Sequence, residues 1–397
     1  MKKSTISGLF LILGFKIVTA QTNIYDTIVH NSLNRTYLLH IPASYNPANP
    51  TPLVIGLHGG GALSWYSLEQ TSQLISKSNS SGFLLIYPEG MKYSGLRTWN
   101  GGGCCGDAVL NNIDDVGFIS NLIDTIKSQY NIDTTRIYAT GISNGAIMAY
   151  RLACELSHRI AAIAPVAGTL EDTLYTCNPS RAVPIIQFHS VLDSNIYIQG
   201  GVGIGVSGYN FNSVNYGLQM FSAYNSCTQE PDSSYYTVSN TFYYKKRWHN
   251  CSCNSENILY VTGDGGHSWP GGQQGIYAGA DPPSSIIDAN DSIWNFFQQH
   301  TLICNLSSLN DSQNYIPKIK IYPNPASHFA TLEFFDNTIK DNCTLTLYNM
   351  QGQLIRIIPN ITTNKVEIQT NDLVSGLYFL HLRSDRQLIA IGKLAIK

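Results

Sequence analysis

Apolar positions in this chain fall into two regimes. Between residues 53 and 262 they gather into short continuous runs: Leu53-Val54-Ile55-Gly56-Leu57, Phe83-Leu84-Leu85-Ile86-Tyr87-Pro88, Arg136–Ala139, Ile160–Val166, Pro184–His189 and Ile258–Val261. Runs without polar alternation predict strands buried on both faces of a parallel sheet. Between them Asp115–Tyr130 and Ala146–Leu156 carry helix formers and no breaker, so strand and helix alternate. That alternation predicts an α/β fold with a doubly wound, mostly parallel sheet. Residues 23–42 read as two further strands, the second stopped by Pro42. Residues 197–250 break the rhythm with Gly-, Asn-, Ser- and Tyr-rich sequence and read as an inserted excursion near the top of the sheet, such as a cap.

After His300 the pattern changes to period two, as in Thr331-Leu332-Glu333-Phe334, Thr344–Tyr348 and Leu377–Leu382. Half-exposed antiparallel strands have this signature, so 318–397 is expected to be a small all-β sandwich behind a Ser/Asn/Asp-rich linker at 305–317. At the other end, Lys2 and Lys3 precede an apolar run from Gly8 to Gly14, and Val18-Thr19-Ala20 supplies small residues. This is the layout of a secretory signal peptide over 1–20, leaving 21–304 for the α/β domain. No later stretch approaches the ~20 apolar residues of a membrane span.

Composition adds little to the fold but narrows the partners. Of 397 residues 43% are hydrophobic and 13% charged, which suits a packed globular chain with a weakly charged surface. A net charge of −2 argues against nucleic acid or an anionic membrane surface as partner. Many of the 24 tyrosines lie in polar neighbourhoods such as Ser233-Ser234-Tyr235-Tyr236, which fits an extracellular protein, a surface that stacks on sugars, or an ordinary β-rich surface. Nine cysteines in an exported chain imply disulfides. One bridge is expected within Cys104, Cys105, Cys154 and Cys177, and another from Cys227 to Cys251 or Cys253; the odd count leaves one thiol over or one bridge intermolecular. None of the nine has the spacing of a zinc site, and no metal or cofactor is expected.

The chemistry centres on Gly141-Ile142-Ser143-Asn144-Gly145, which lies between a predicted strand and a predicted helix. A strand that turns sharply into a helix strains the corner residue, needs small neighbours, and pushes the serine hydroxyl out at the top of the sheet. A serine becomes a nucleophile only when a base takes its proton and a carboxylate orients that base. Asp193 follows the strand Pro184–His189, and His267 follows Ile258–Val261 within Gly263-Asp264-Gly265-Gly266-His267. Ser143, Asp193 and His267 thus stand in the order nucleophile, acid, base. Asp264 is the competing acid, though its closeness to His267 demands a tight local loop. His189 reads as a core histidine, and Asp114 and Asp115 as caps of a helix start. His58-Gly59-Gly60-Gly61 follows the first buried strand, so the Gly60 and Asn144 backbone N–H groups are the expected oxyanion donors and His58 the residue that shapes that loop. Trp99, in Trp99-Asn100-Gly101-Gly102-Gly103-Cys104-Cys105-Gly106, and Trp269 are candidates for lining an acyl or sugar pocket.

Several stretches together carry a family resemblance: His58–Gly61, Tyr87-Pro88-Glu89-Gly90, Trp99-Asn100 through Gly106, Asp114–Phe118, Gly141–Gly145, Arg151–Glu155, Ala164–Gly168 and Gly266–Gly271. They resemble the secreted α/β-hydrolase esterases that include polyhydroxybutyrate depolymerases, feruloyl esterases and acetyl xylan esterases (carbohydrate esterase family 1). One departure is His189-Ser190-Val191-Leu192-Asp193, where relatives have a glycine and a small residue after the histidine. Tyr322–Ala326, Gly376-Leu377-Tyr378 and Lys393–Lys397 resemble the C-terminal sorting domain of the type IX secretion system. The resemblance implies a secreted or surface-attached serine esterase with Ser143, Asp193 and His267 as its triad and the secretion machinery as a partner. Feruloyl or acetyl esters of plant-wall polysaccharide are the expected substrates, with a polyester depolymerase as the alternative and a non-catalytic surface binding protein as the remote one.

Overall fold

The apolar runs do become fully buried strands. In the computed structural model, which describes residues 21–304 and 319–397 apart from 94, 206, 228–229, 278, 335–342, 350–353 and 385–386, Thr51–Leu57 and Leu84–Pro88 are buried at every position. The expected signal peptide (1–20) and the linker (305–317) lie outside the described residues. The chain forms two compact units, Met1–Asn305 and Leu306–Lys397.

The first unit is built on a ten-stranded sheet. Its strands are β1 Thr22–His30, β2 Leu33–Ile41, β3 Thr51–Leu57, β4 Leu84–Pro88, β5 Ile132–Ile142, β6 Ala162–Val166, β7 Ile185–Ser190, β8 Asp232–Val238, β9 Thr241–Trp248 and β10 Asn257–Thr262. Their spatial order is β1-β2-β4-β3-β5-β6-β7-β10-β9-β8. The six central strands from β4 to β10 run parallel, and an antiparallel pair closes each edge. Apolar layers on the two faces bury the sheet: Leu53, Ile55 and Ile137 join helices on one side, Val54, Tyr138 and Ile186 on the other.

Four helices matter for the site: α1 Asp115–Gln129, α2 Asn144–Glu155, α3 Val214–Tyr224 and α4 Ala289–Phe297. Asp114 caps α1, its carboxylate accepting the Gly117 N–H at 2.8 Å. Asp115, expected as a cap as well, is fully buried instead; it pairs with the equally buried Arg35 at 2.5 Å and accepts the Asn100 N–H. Region 197–250 is not a separate cap. Val214, Leu218 and Phe221 of α3 enter the main core, and β8 and β9 extend the sheet itself. The reading failed there because the strands of that hairpin carry Tyr, Ser and Lys on exposed faces, with no apolar alternation to mark them.

Disulfides also go further than expected. Within the first cysteine group there are two bridges, Cys104–Cys105 and Cys154–Cys177; Cys227 joins Cys251, and Cys253 joins Cys304. Cys343 is a thiol buried in the second unit. That unit has two antiparallel sheets, one ordered Lys320–Tyr322, Phe329–Glu333, Lys365–Gln369 and the other Leu354–Ile361, Cys343–Tyr348, Gly376–Ser384, Gln387–Ile396. Leu332, Leu345, Leu347, Leu380, Leu382 and Leu394 fill the core that these strands share.

Candidate active site

β5 ends at Ile142 and α2 begins at Asn144, so Ser143 alone makes the turn. It does so at φ 58° and ψ −122°, a region that an L-residue rarely adopts. The corner is held by two backbone bonds: Ser143 N–H donates to Val166 O at 2.9 Å, and Ser143 O accepts from Ile147 N at 3.0 Å. Gly141 and Gly145 are required here, since a Cβ on either would collide with the Leu57 carbonyl of the neighbouring strand. The serine itself remains half-buried.

Asp193 sits in the loop after β7 and His267 in the loop after β10, which are adjacent strands. The loops bring the two side chains together: His267 Nδ1 donates to Asp193 Oδ2 at 2.8 Å. The imidazole proton is therefore on Nδ1, which leaves the Nε2 lone pair available as a base. The other carboxylate oxygen of Asp193 accepts the Asn195 and Ile196 N–H groups, both at 2.9 Å. Burial on its own would raise the Asp193 pKa, but the His267 and His189 imidazoles and the Ile196 amide outweigh it and hold the carboxyl below its ordinary value. Ser190-Val191-Leu192, where relatives have a glycine and a small residue after the histidine, is compatible with this contact: His189 Nε2 bonds to Ile196 O at 2.8 Å and lies 3.4 Å from Asp193 Oδ2. Asp264, the rival acid, is occupied elsewhere, accepting Ser284 Oγ at 2.6 Å and Ser285 N at 2.9 Å. A further carboxylate, Asp281, holds the His267 backbone N–H at 2.7 Å.

Gly60 and Asn144 are neighbours: a Cβ placed on Gly60 would lie 3.3 Å from Asn144 Cβ. His58 sets the loop between them. Its Nδ1 donates to Gly59 O at 2.8 Å, and its Nε2 accepts the Gly90 N–H at 2.9 Å. Accepting at Nε2 requires a neutral ring, and burial lowers the His58 pKa to about 4. Below the loop, Glu89 accepts from Tyr25 Oη and Trp65 N and pairs with Arg97 at 2.8 Å. Sequence reasoning assigned Glu89 and Arg97 no role; a buried acid in Tyr87-Pro88-Glu89-Gly90 was their only signal.

The two tryptophans are not where a pocket lining would be. Trp99 has 0% exposure, stacks on His58 with ring centroids 4.9 Å apart, and donates its indole N–H to His58 O at 3.0 Å. Trp269, also 0% exposed, donates to Asn290 Oδ1 inside the second core layer. Neither ring offers a face to a ligand; both brace loops. Near the site lies an unanticipated group: Glu171, buried, accepts Asn212 N at 2.7 Å, and burial pushes its pKa up to about 7. Among the described residues no group of three His, Cys, Asp or Glu is placed to hold a metal ion.

Comparison with known proteins follows the same division of the chain. Residues 35–196 match the family described as Esterase PHB depolymerase, and 320–397 match the secretion system C-terminal sorting domain. Feruloyl esterase B of Piromyces equi is 30% identical over 248 residues, 61% of this chain and 44% of that protein. A bifunctional acetylxylan esterase/xylanase of Neocallimastix patriciarum is 30% identical over 161 residues, 41% of this chain and 22% of its own. The chain therefore spans less than half of either of these relatives. Probable feruloyl esterase C of Aspergillus niger is 25% identical over 281 residues, 68% of this chain and 86% of that one. Among solved structures, the acetyl xylan esterase from Aspergillus awamori aligns at 17% identity and a TM-score of 0.44, covering 62% of this chain and 94% of that one.

Proposed function

We propose, for a chain whose residues 35–196 match the family described as Esterase PHB depolymerase and which carries a secretion system C-terminal sorting domain at 320–397, that it is an exported serine esterase acting on ester groups of plant-wall polysaccharide. The observation that carries this reading is the 2.8 Å contact between His267 and Asp193, aligned in chain order behind a strained serine at a strand-to-helix corner. Ser143 Oγ attacks the ester carbonyl while His267 Nε2 takes its proton. The Gly60 and Asn144 N–H groups receive the developing oxyanion, a role in which one donor supplies about 3 kcal/mol. His267 then protonates the departing alcohol, leaving an acyl group on Ser143. Water attacks that ester with His267 as base again, and the carboxylic acid leaves. Asp193 keeps the imidazole in the tautomer that both half-reactions need.

Feruloyl and acetyl groups are the first-choice acyl groups, because the relatives at 30% identity carry those names. The sorting domain supports export by the type IX machinery to the medium or the cell surface. A polyester depolymerase is the second reading, favoured by the description of the family that residues 35–196 match. Parallel hydrolysis of methyl ferulate, acetylated xylan and a 3-hydroxybutyrate oligomer, with Ser143→Ala as control, decides between them. Cleavage of the first two by the wild type alone supports the wall-esterase reading. Preference for the oligomer transfers the assignment to polyesters, and failure of a fluorophosphonate to label Ser143 in the disulfide-intact protein removes both.

A further inference from the structure

The outer hairpin of the sheet carries a feature that the triad does not use. Strand β8, at the sheet edge, is exposed along its whole length. Its pairing sets Ser234 opposite Lys245, Tyr236 opposite Tyr243 and Val238 opposite Thr241; β10 continues the rows with Tyr260 beside Lys245 and Thr262 beside Tyr243. Side chains alternate between faces along a strand, so these residues share one face. On it the rings form a ladder: Tyr236 to Tyr243 at 4.6 Å, Tyr243 to Tyr260 at 6.3 Å, Tyr260 to Phe188 at 5.3 Å. The ladder begins in solvent, where Tyr236 is 44% exposed, and ends in the core at Phe188. The Lys245 ammonium lies 5.3 Å over the Tyr260 ring. On the opposite face Tyr235 is 64% exposed and stacks on Phe242 at 5.2 Å.

Topology places this hairpin beside the active site. β10 runs parallel to the central strands, so its end at Thr262 lies on the edge of the sheet from which the Ser143 and Asp193 segments emerge. Ligands of open α/β sheets bind at that edge. Tyr243 is the partner of Thr262, and Gly263 N donates to Phe242 O at 2.8 Å, in the loop that ends at His267. An edge strand needs charge or a bulge to discourage pairing, and aromatic surface left in water does the opposite. Cross-strand stacking accounts for Tyr243 and Tyr260, but not for the exposure of Tyr235 and Tyr236.

We infer that this hairpin is a subsite for the main chain of an acidic, pyranose-based polysaccharide. Tyr236 offers ring surface to the C–H faces of sugars, Ser234 and Thr241 on the same face offer hydroxyls to theirs, and Lys245 offers an ammonium to a uronic carboxylate. The polymer that bears the scissile ester then passes from Ser143 along the His267 loop onto the hairpin. This rests on the wall-esterase reading of Ser143, and its test is arranged so that the two can fail separately.

The full, disulfide-intact chain is compared with Tyr236→Ala, Tyr236→Phe and Lys245→Gln on acetylated glucuronoxylan and on 4-nitrophenyl acetate. Retardation in glucuronoxylan gels reads binding directly. Tyr236→Ala is expected to lower kcat/KM on the polysaccharide about tenfold and to lose gel retardation, with the small ester unchanged within about twofold. Tyr236→Phe keeps both, and Lys245→Gln weakens retardation by glucuronoxylan but not by a neutral xylan. An unchanged ratio between the two substrates overturns the subsite. So does a Tyr236→Ala variant that instead loses binding to poly(3-hydroxybutyrate) film, which makes the hairpin a polyester surface. If the wild type cleaves neither substrate, the esterase reading falls while gel retardation still reports on the hairpin.

Discussion

The side-chain amide of Asn144 closes a two-bond ring with the backbone of Trp99: Oδ1 accepts the Trp99 N–H at 2.7 Å, and Nδ2 donates to the Trp99 carbonyl at 3.0 Å. The residue proposed to supply an oxyanion donor is thus clamped to the residue whose indole N–H holds the His58 carbonyl. Replacing Asn144 by Ala keeps its backbone N–H but removes the clamp. The expected outcome is a fall in kcat of about tenfold or more, with KM little changed, because alignment matters when charge develops on the oxygen and not before. Steady-state kinetics on a soluble ester measures it. A loss confined to KM would place Asn144 in substrate binding instead.

His58 orients the second proposed donor, the Gly60 N–H, through one peptide plane. In a trans peptide the carbonyl and the N–H point in opposite directions. A Gly59 carbonyl held by His58 Nδ1 therefore fixes the direction of the Gly60 N–H. The ring is neutral in the fold, with its pKa lowered by burial from 6.5 to about 4. The sign follows: below pH 6.5 the unfolded chain takes a proton that the folded chain refuses. Stability is thus full above that pH and declines as the pH falls towards 4, by about 3 kcal/mol in all. Urea unfolding from pH 8 to 4 measures the slope, and His58→Gln should flatten it. A slope that survives the substitution assigns the acid sensitivity to other groups.

The sheet, the strained Ser143 corner and the Asp193–His267 contact were legible because their constraints are local. Fully buried strands such as Leu53–Leu57 must be continuous apolar runs, and a strand-to-helix corner such as Ser143 needs glycine on both sides. Asp193 and His267 stand out as polar residues just past such strands. The supports of the site were not legible, because their meaning depends on contacts distant in sequence. Trp99 looks like a pocket aromatic until its indole is seen against His58, and Glu89 gains its role only beside Arg97, Tyr25 and Trp65. The β8–β9 hairpin escaped for another reason: its residues face water, so no hydrophobic period marks it.

Glu171 gives the opposite pH sign to His58. Burial raises its pKa from 4.5 to about 7, and hydrogen bonds from the Asn212 amide and the Tyr209 hydroxyl only partly offset that. The unfolded chain ionises near pH 4.5, whereas the folded chain holds the proton to higher pH, so the fold loses stability as pH rises through that interval. Glu171→Gln removes the ionisable group and keeps the acceptor for Asn212. It should stabilise the protein by about 2–3 kcal/mol at pH 8 and leave stability nearly unchanged at pH 4. Thermal unfolding at the two pH values checks it, and equal effects at both would show that the carboxyl does not titrate in the fold.

Two aspartates compete for the orienting role, and paired substitutions separate them. Asp193 faces His267 Nδ1, so Asp193→Asn can present an amide N–H there and drive the imidazole into the other tautomer, with the proton on Nε2. That ring cannot accept the Ser143 proton, and kcat should fall by about 10⁴-fold while the fold persists. Asp264 is closer in sequence but binds Ser284 and Ser285. Asp264→Asn should therefore weaken the loop by about 1–2 kcal/mol, by removing the charge that strengthens its bonds to Ser284 and Ser285, and change kcat only a few fold. The reverse ranking in kcat, at matched thermal stability, would hand the orienting role to Asp264 and require the two loops to rearrange when substrate binds.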